Sequence, residues 1–137
     1  MDGKIFVVAA ILGWGIWGVF QKLAQSNMNP LQVAITASLV HMSAIPIYFW
    51  LMKTTGFHWV WNRGILWGVL AGIFTSIATL SFTYALKTFD ASYLAAITAV
   101  YPAVTFIIAI FVFNETITLA KCLGLLLILL GTIFLSH

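Results

Sequence analysis

The sequence predicts an all-α integral membrane protein, a bundle of five transmembrane helices. Of its 137 residues, 63% are hydrophobic and only 7% are charged, whereas a soluble domain carries about 25% charged residues. The segment between Asp90 and Glu115 has no charged residue over 24 positions, which is long enough to cross a hydrocarbon core of roughly 30 Å. We expect helices, because an open strand would leave backbone groups unpaired in lipid.

Five apolar segments follow one another in a single predicted domain, residues 1–137. Lys4 precedes the first segment as in a signal peptide, but no clear cleavage site follows and Lys22 closes a segment of membrane length. We therefore predict a retained first helix. The short connections require neighbouring helices to run antiparallel. The predicted spans are about 5–23, 31–52, 64–86, 92–113 and 119–135.

Basic residues in the loops predict the orientation of the chain. Four lie on one side of the membrane and two on the other, which favours a cytoplasmic N-terminus. This bias is small and leaves inverted insertion of some copies open. The four are Lys4, Lys53, Arg63 and Lys121, and the two are Lys22 and Lys87. An interfacial aromatic belt is predicted near the second loop from Trp50, Trp59, Trp61 and Trp67.

No catalytic pattern is present, so the sequence predicts neither an enzyme nor a bound cofactor. There is no cluster of metal ligands, no nucleophile elbow and no phosphate-binding loop. The single cysteine, Cys122, excludes an intrachain disulfide and is expected to be a small buried side chain. Asp2, Asp90 and Glu115 lie at span ends. We expect Glu115 to anchor the start of the fifth helix rather than to carry protons.

Polar and aromatic side chains at helical spacing predict a mildly polar cavity inside the membrane. His41, near the centre of the second span with Ser38 one turn earlier, either lines this cavity or bonds to a neighbouring helix. The hydroxyls either face the cavity or bond to their own backbone. Such a cavity suits a neutral, zwitterionic or amphipathic molecule. The predicted faces are Trp14, Trp17 and Gln21; Thr75, Thr79 and Thr83; and Thr98, Tyr101 and Thr105.

Small residues predict where helices approach each other or a second subunit. Pro102 interrupts the fourth span, where it removes a backbone donor and predicts a kink that serves as a hinge. Gly124 and Gly131 give the fifth helix a smooth face for packing or for a dimer. Ridges of small residues recur every four positions at Gly64, Gly68, Gly72 and Ser76, and at Ala91, Ala95, Ala99 and Ala103.

Several of these features together resemble the EamA-like domain of the drug/metabolite transporter superfamily. They are Tyr84-Ala85-Leu86 closing the third helix, Ala91-Ser92 opening the fourth, Pro102, Glu115, and the glycines of the fifth helix. The first helix with Gly13-Trp14-Gly15 and Lys22 fits the same order, as does Asn29-Pro30-Leu31.

The resemblance implies transport by alternating access, with the substrate between two five-helix repeats of opposite topology. This chain has one repeat, so the resemblance predicts an antiparallel homodimer or a paralogous partner. Applied to this chain, the resemblance assigns Trp17, Thr79 and Tyr101 to the substrate cavity. It assigns the fifth-helix glycines to the interface between the two halves. The first helix lacks the acidic residue of the related four-helix small multidrug resistance proteins, which argues against proton-coupled export of cationic drugs.

We therefore expect a transporter subunit in a prokaryotic cytoplasmic membrane. Its partners would be the bilayer, a small neutral or amphipathic substrate and a second subunit, and no nucleic acid. Two alternatives are a non-transporting accessory subunit of another membrane complex and a subunit of a lipid-linked sugar flippase.

Overall fold

The computed structural model describes residues 3–135, and every regular element among them is an α-helix. This confirms the predicted fold class. Two of the predicted spans are each divided into two helices, so five spans comprise seven helices. They are α1 (Gly3–Ala24), α2 (Pro30–Ser43), α3 (Ile45–Thr54), α4 (Gly64–Ala85), α5 (Ala91–Thr98), α6 (Tyr101–Phe113) and α7 (Leu119–Leu135). Asp2, one of the span-end acids, lies outside the described residues.

Four helical segments are long and apolar enough to cross a membrane: Gly3–Ala24, Pro30–Thr54, Gly64–Ala85 and Ala91–Phe113. The last helix, α7, has 17 residues and is therefore about 25 Å long. That length lies at the lower end of what spans a bilayer. Each observed span ends within two residues of its predicted bounds.

Local capping explains where the helices begin and end. Asn29 accepts a hydrogen bond from the backbone N–H of Gln32 at 2.9 Å, and Gln32 accepts one from Asn29 in return at 3.2 Å. This reciprocal pair, followed by Pro30 in the first turn, starts α2. Asn114 adopts a left-handed conformation with φ 52° and ends α6, as asparagine does more readily than most residues.

Glu115 does not cap α7. The backbone N–H of Lys121 donates instead to the Thr118 hydroxyl at 3.3 Å. The Glu115 carboxylate pairs with the Lys121 ammonium at 2.9 Å, with both side chains exposed. Thr118 lies next to the helix start, and a short hydroxyl side chain reaches the first-turn N–H groups directly. Glu115 therefore has the expected structural role, but through an ion pair with Lys121.

Proline divides the fourth span as the sequence predicts. α5 ends at Thr98, and α6 begins at Tyr101 with Pro102 in its first turn. Because Pro102 has no N–H, it cannot donate to the Thr98 carbonyl four residues earlier. The second span is divided in the same way, between Ser43 and Ile45, with Pro46 in the first turn of α3. The sequence analysis did not predict this second break, although Pro46 carries the same signal.

The described chain divides into two compact units. One comprises Met1–Val19 with Phe89–His137, and the other Phe20–Thr88. In the first unit, α5 contacts α7, and in the second unit, α2 contacts α4 and α3. Most large apolar side chains are exposed, as expected for a protein whose solvent is lipid. Among the residues of the predicted aromatic belt, the Trp59 ring lies 5.8 Å from that of Trp61, and it lies 6.1 Å from the Phe49 ring.

The predicted small-residue ridges pack less than expected. A methyl group added at Gly68, Gly72, Gly124 or Gly131 would meet no atom of another described helix within 4 Å. The alanine ridge of the fourth span is interrupted because Ala99 lies in the break between α5 and α6. Cys122 is exposed on α7, so the expectation of a buried thiol is wrong. Exposure of an apolar side chain to lipid, unlike exposure to water, is not unfavourable, so the thiol need not be buried in protein.

Candidate substrate-binding site

A polar cluster joins the C-terminal ends of α1 and α4 within the second unit. It consists of Gln21, Lys22, Gln25, Thr83 and the backbone carbonyl of Leu86, and is called the α1–α4 polar cluster below. The Lys22 ammonium donates to the Leu86 carbonyl at 2.6 Å. The Gln25 amide donates to the Thr83 carbonyl, also at 2.6 Å. Thr83 and Leu86 are fully buried, whereas Lys22 and Gln25 are half-buried, so these bonds are partly shielded.

The chemistry of a helix end explains these contacts. The last carbonyls of α4 have no partner inside the helix and carry the negative end of the helix dipole. The Lys22 ammonium from α1 and the amide of Gln25, one residue beyond α1, satisfy two of them, and the ammonium also neutralises the partial charge. The sequence analysis used Lys22 only as a topology signal and did not consider Gln25. Their positions at the end of one span gave no indication of their partners on α4.

Gln21 has a buried amide atom without a hydrogen-bond partner in the described chain. Its side chain is 3% exposed, and its Oε1 lies 3.2 Å from the Thr83 hydroxyl. Its Nε2 is buried and has no hydrogen-bond partner within the described chain. The Thr83 hydroxyl already donates to the Thr79 carbonyl at 2.7 Å, and it has only one hydrogen. If the amide is turned over, Nε2 donates to Thr83 and Oε1 remains unpaired. In both orientations at least one amide atom lacks a partner among the described residues.

Most hydroxyls of the predicted cavity faces bond to their own helix. Thr75 donates to the Ala71 carbonyl, Thr98 to the Leu94 carbonyl and Thr105 to the Tyr101 carbonyl. Each bond joins residues four apart, a common arrangement in membrane helices. These three hydroxyls keep lone pairs that can accept a hydrogen bond, but they do not offer their hydrogens to a ligand. Thr83 also bonds to its own helix, yet it alone of these contacts Gln21.

The remaining predicted site residues lie in several environments. Trp14 is 65% exposed and Trp17 is half-buried, both on α1. Tyr101 is exposed in the first turn of α6, beside Pro102. His41 is exposed in the last turn of α2, and its side chain makes no hydrogen bond to residues 3–135. The alternative of a histidine bonded to a neighbouring helix is therefore not seen within this part of the chain.

A lateral groove runs between α2 and α4 in the second unit. Its volume is about 320 Å³, and its lining is mainly apolar. The two hydroxyls in its wall, those of Ser38 and Ser76, donate to the carbonyls of Ala34 and Gly72. The groove therefore presents few polar atoms. It is lined by Leu31, Ala34, Ile35, Ser38, Leu39, Ser76 and Leu80.

No group of three or more histidine, cysteine, aspartate or glutamate side chains that could hold a metal ion occurs in residues 3–135. The functional groups of the polar cluster and the groove are mainly amides, hydroxyls and apolar side chains. Residues 1–137 match the EamA-like transporter family. The chain belongs to this family. It is thus a membrane protein of a transporter family in the drug/metabolite superfamily, as its helices and composition indicate.

One curated relative of this EamA-like protein is an uncharacterized protein of Methanocaldococcus jannaschii. It is 27% identical over 123 residues, which cover 90% of the present chain and 88% of the relative. The relative therefore has about 140 residues, since 123 divided by 0.88 is about 140. No solved structure matches the chain.

Proposed function

We propose that this EamA-like protein is one half of a transporter that moves a small neutral or amphipathic solute by alternating access. The observation that carries the proposal is the family match along all five spans. Two mid-span breaks, at Pro46 and Pro102, support it further. Discontinuous membrane helices are typical of transporters, where irregular backbone lies beside the substrate path.

The distribution of charge supports an uncharged or zwitterionic solute. Every charged residue lies at or beyond the end of a span, so no fixed charge is available at the membrane centre to compensate an ion. Two of the polar side chains near the middle of the spans, those of His41 and Tyr101, lie beside the two helix breaks. We assign these two side chains, and those of Gln21 and Thr83, to substrate binding.

The second half of the transporter is proposed to be another copy of the chain, inserted with the opposite orientation in a prokaryotic cytoplasmic membrane. The described chain has five apolar helical segments, the size of one of the two repeats that the family resemblance implies. Four basic residues on one side against two on the other leave the insertion energy of the two orientations similar.

A C-terminal reporter should therefore give both orientations. Cells carrying the chain fused to alkaline phosphatase or to green fluorescent protein, at equal expression, should show both activities at comparable levels. Adding two lysines to the 55–63 loop should shift the population to one orientation and lower transport by about tenfold or more. A single orientation in the unmodified chain would contradict the antiparallel homodimer and require an inverted partner.

Transport itself is tested by counterflow in proteoliposomes. The probes are labelled leucine, alanine, threonine and glycerol. For any solute that the unmodified protein exchanges, Tyr101→Ala and His41→Ala should each lower the initial rate by about tenfold, the effect of losing roughly 1.4 kcal/mol of interaction with the moving solute. Matched controls are Tyr48→Ala on α3 and His58→Ala in the 55–63 loop, which should stay within about twofold. If Tyr101→Ala and His41→Ala both matched the unmodified protein, the assignment of the substrate path would be wrong.

A further inference from the structure

We propose that residues 53–63, from the last turn of α3 to the residue before α4, bind the head group of an anionic phospholipid. This segment is called the 53–63 surface below. Three features carry the proposal: two basic side chains without a partner, backbone groups without hydrogen bonds, and exposed aromatic rings. The proposal goes beyond transport and does not depend on which solute is moved.

The two basic residues of the 53–63 surface differ from other basic residues of the chain in their lack of partners. Lys53 and Arg63 are exposed and make no hydrogen bond, ion pair or ring contact within residues 3–135. By contrast, Lys22 has a backbone carbonyl, Lys87 an aromatic ring and Lys121 a carboxylate. The sequence has no aspartate or glutamate in residues 3–89, so no carboxylate side chain of the second unit can neutralise the two charges. They are available to an anion outside the chain.

The backbone places the 53–63 surface at the level of the lipid head groups. Residues 58–61 belong to no helix, and their N–H groups make no hydrogen bond within the described part of the chain. Unpaired backbone groups are not tolerated in lipid hydrocarbon, so water or head-group oxygens must bond to them. The oxygens of a phosphodiester only accept hydrogen bonds. They suit the N–H groups of the backbone, of lysine and of arginine, whose planar fork matches phosphate.

Aromatic rings hold the 53–63 surface at this depth. The Trp59 ring lies 6.1 Å from the Phe49 ring of α3 and 5.8 Å from the Trp61 ring, so the loop packs against α3. Phe57 is 73% exposed and Trp61 83%. Tryptophan favours the membrane interface, where its ring lies against acyl chains and its N–H reaches polar groups. The rings therefore keep the two basic side chains near the lipid phosphates.

Depth and charge together select an anionic lipid. Aromatic rings alone would anchor the loop in any bilayer, and basic side chains alone would attract any soluble anion. A zwitterionic head group such as phosphocholine carries its own cation, which the ammonium and guanidinium groups repel. Phosphatidylglycerol has an uncharged alcohol beside its phosphate, so its negative charge is fully available to basic residues at the membrane surface.

The test is photolabelling of the full chain in phosphatidylcholine nanodiscs that contain a trace of one reactive lipid. The two probes are phosphatidylglycerol and phosphatidylcholine, each with a diazirine in the acyl chain next to the ester group. Mass spectrometry maps the adducts. Phosphatidylglycerol should label the 53–63 surface about tenfold more than phosphatidylcholine does. Lys53→Gln and Arg63→Gln should each lower labelling by phosphatidylglycerol about fivefold, equivalent to about 1 kcal/mol, and leave labelling by phosphatidylcholine unchanged.

Lys87→Gln is the matched control. It removes one exposed positive charge from the same unit but outside the 53–63 surface, so labelling of that surface should stay within about twofold. Lys53 and Arg63 are exposed and have no partner in residues 3–135, so their replacement is not expected to impair folding. Equal labelling of the 53–63 surface by the two lipids would overturn the proposal. So would a preference for phosphatidylglycerol that persists when Lys53→Gln and Arg63→Gln are combined.

Soluble glycerol phosphate distinguishes a lipid from a free anion. It carries the phosphate of the lipid but no acyl chains, so in excess it should leave labelling by phosphatidylglycerol unchanged. Competition by glycerol phosphate would show an anion site that needs no membrane and would overturn the assignment to lipid. Since labelling is measured without a transported solute, its outcome is independent of the counterflow experiment.

Discussion

Replacing Lys22 with methionine is expected to destabilise the second unit by about 1–2 kcal/mol. The substitution keeps the length of the side chain but removes the donor to the Leu86 carbonyl, which lies in a fully buried residue at the end of α4. Hydrogen bonds to charged groups contribute about 1.5–3 kcal/mol, and partial burial of the ammonium places this bond at the lower end. Unfolding in mixed micelles with increasing denaturing detergent measures the change.

Lys87→Met is the matched control for Lys22→Met. Lys87 lies in the connection after α4, on the same side of the predicted topology as Lys22, so both variants alter the charge bias equally. Its ammonium lies 6.0 Å from the Tyr84 ring centre, an exposed contact that contributes little. We expect a change below about 0.5 kcal/mol. Equal destabilisation by the two variants would show that the α1–α4 polar cluster does not hold these helix ends together.

Replacing Pro46 or Pro102 with alanine is expected to slow transport by about tenfold while leaving the protein equally stable or more stable. Alanine at position 102 supplies an N–H that can donate to the Thr98 carbonyl, and at position 46 one that can donate to the Met42 carbonyl. Each new bond closes the interruption and makes the span a continuous helix, which is stiffer than two half-helices. A spanning segment that can no longer bend exchanges slowly between the two access states.

The third proline provides the control for these variants. Pro30 lies at the start of α2, where a proline is tolerated because the first-turn N–H has no partner. Pro30→Ala should therefore leave the counterflow rate within about twofold of the unmodified protein. Counterflow rates and thermal denaturation in the same detergent separate an effect on motion from one on stability. Unchanged rates in both Pro46→Ala and Pro102→Ala would show that neither break is a hinge.

The sequence predicts the spans well because their signal is local. Length and hydropathy identify a membrane helix without reference to its neighbours, and a proline without an N–H interrupts a helix wherever it stands. The break at Pro102 was predicted on this basis, and the break at Pro46 was equally predictable. The start of α7 was predicted less well, since Thr118 and Glu115 are both suitable residues near a helix N-terminus and only geometry chooses between them.

The hydrogen-bond partners of the predicted polar faces could not be predicted from the sequence. Helical spacing places Thr75, Thr98 and Thr105 on faces that could line a cavity, but each hydroxyl has a backbone carbonyl within reach of its own helix. Spacing is the same whether such a hydroxyl serves a ligand or its own backbone. Gln21 and Thr83 were both predicted as site residues, yet their contact with each other was not.

The sequence by itself determined that this chain lies in a membrane, that it is helical, and which family it resembles, because these properties depend on composition and on order along the chain. The tertiary structure alone decided which polar groups meet. Lys22 reaches a carbonyl 64 residues away, and Gln25 one 58 residues away. Those partners are backbone atoms, which every residue has, so no residue type marks them in the sequence. The unpaired atom of Gln21 becomes visible only after the neighbouring bonds have been assigned.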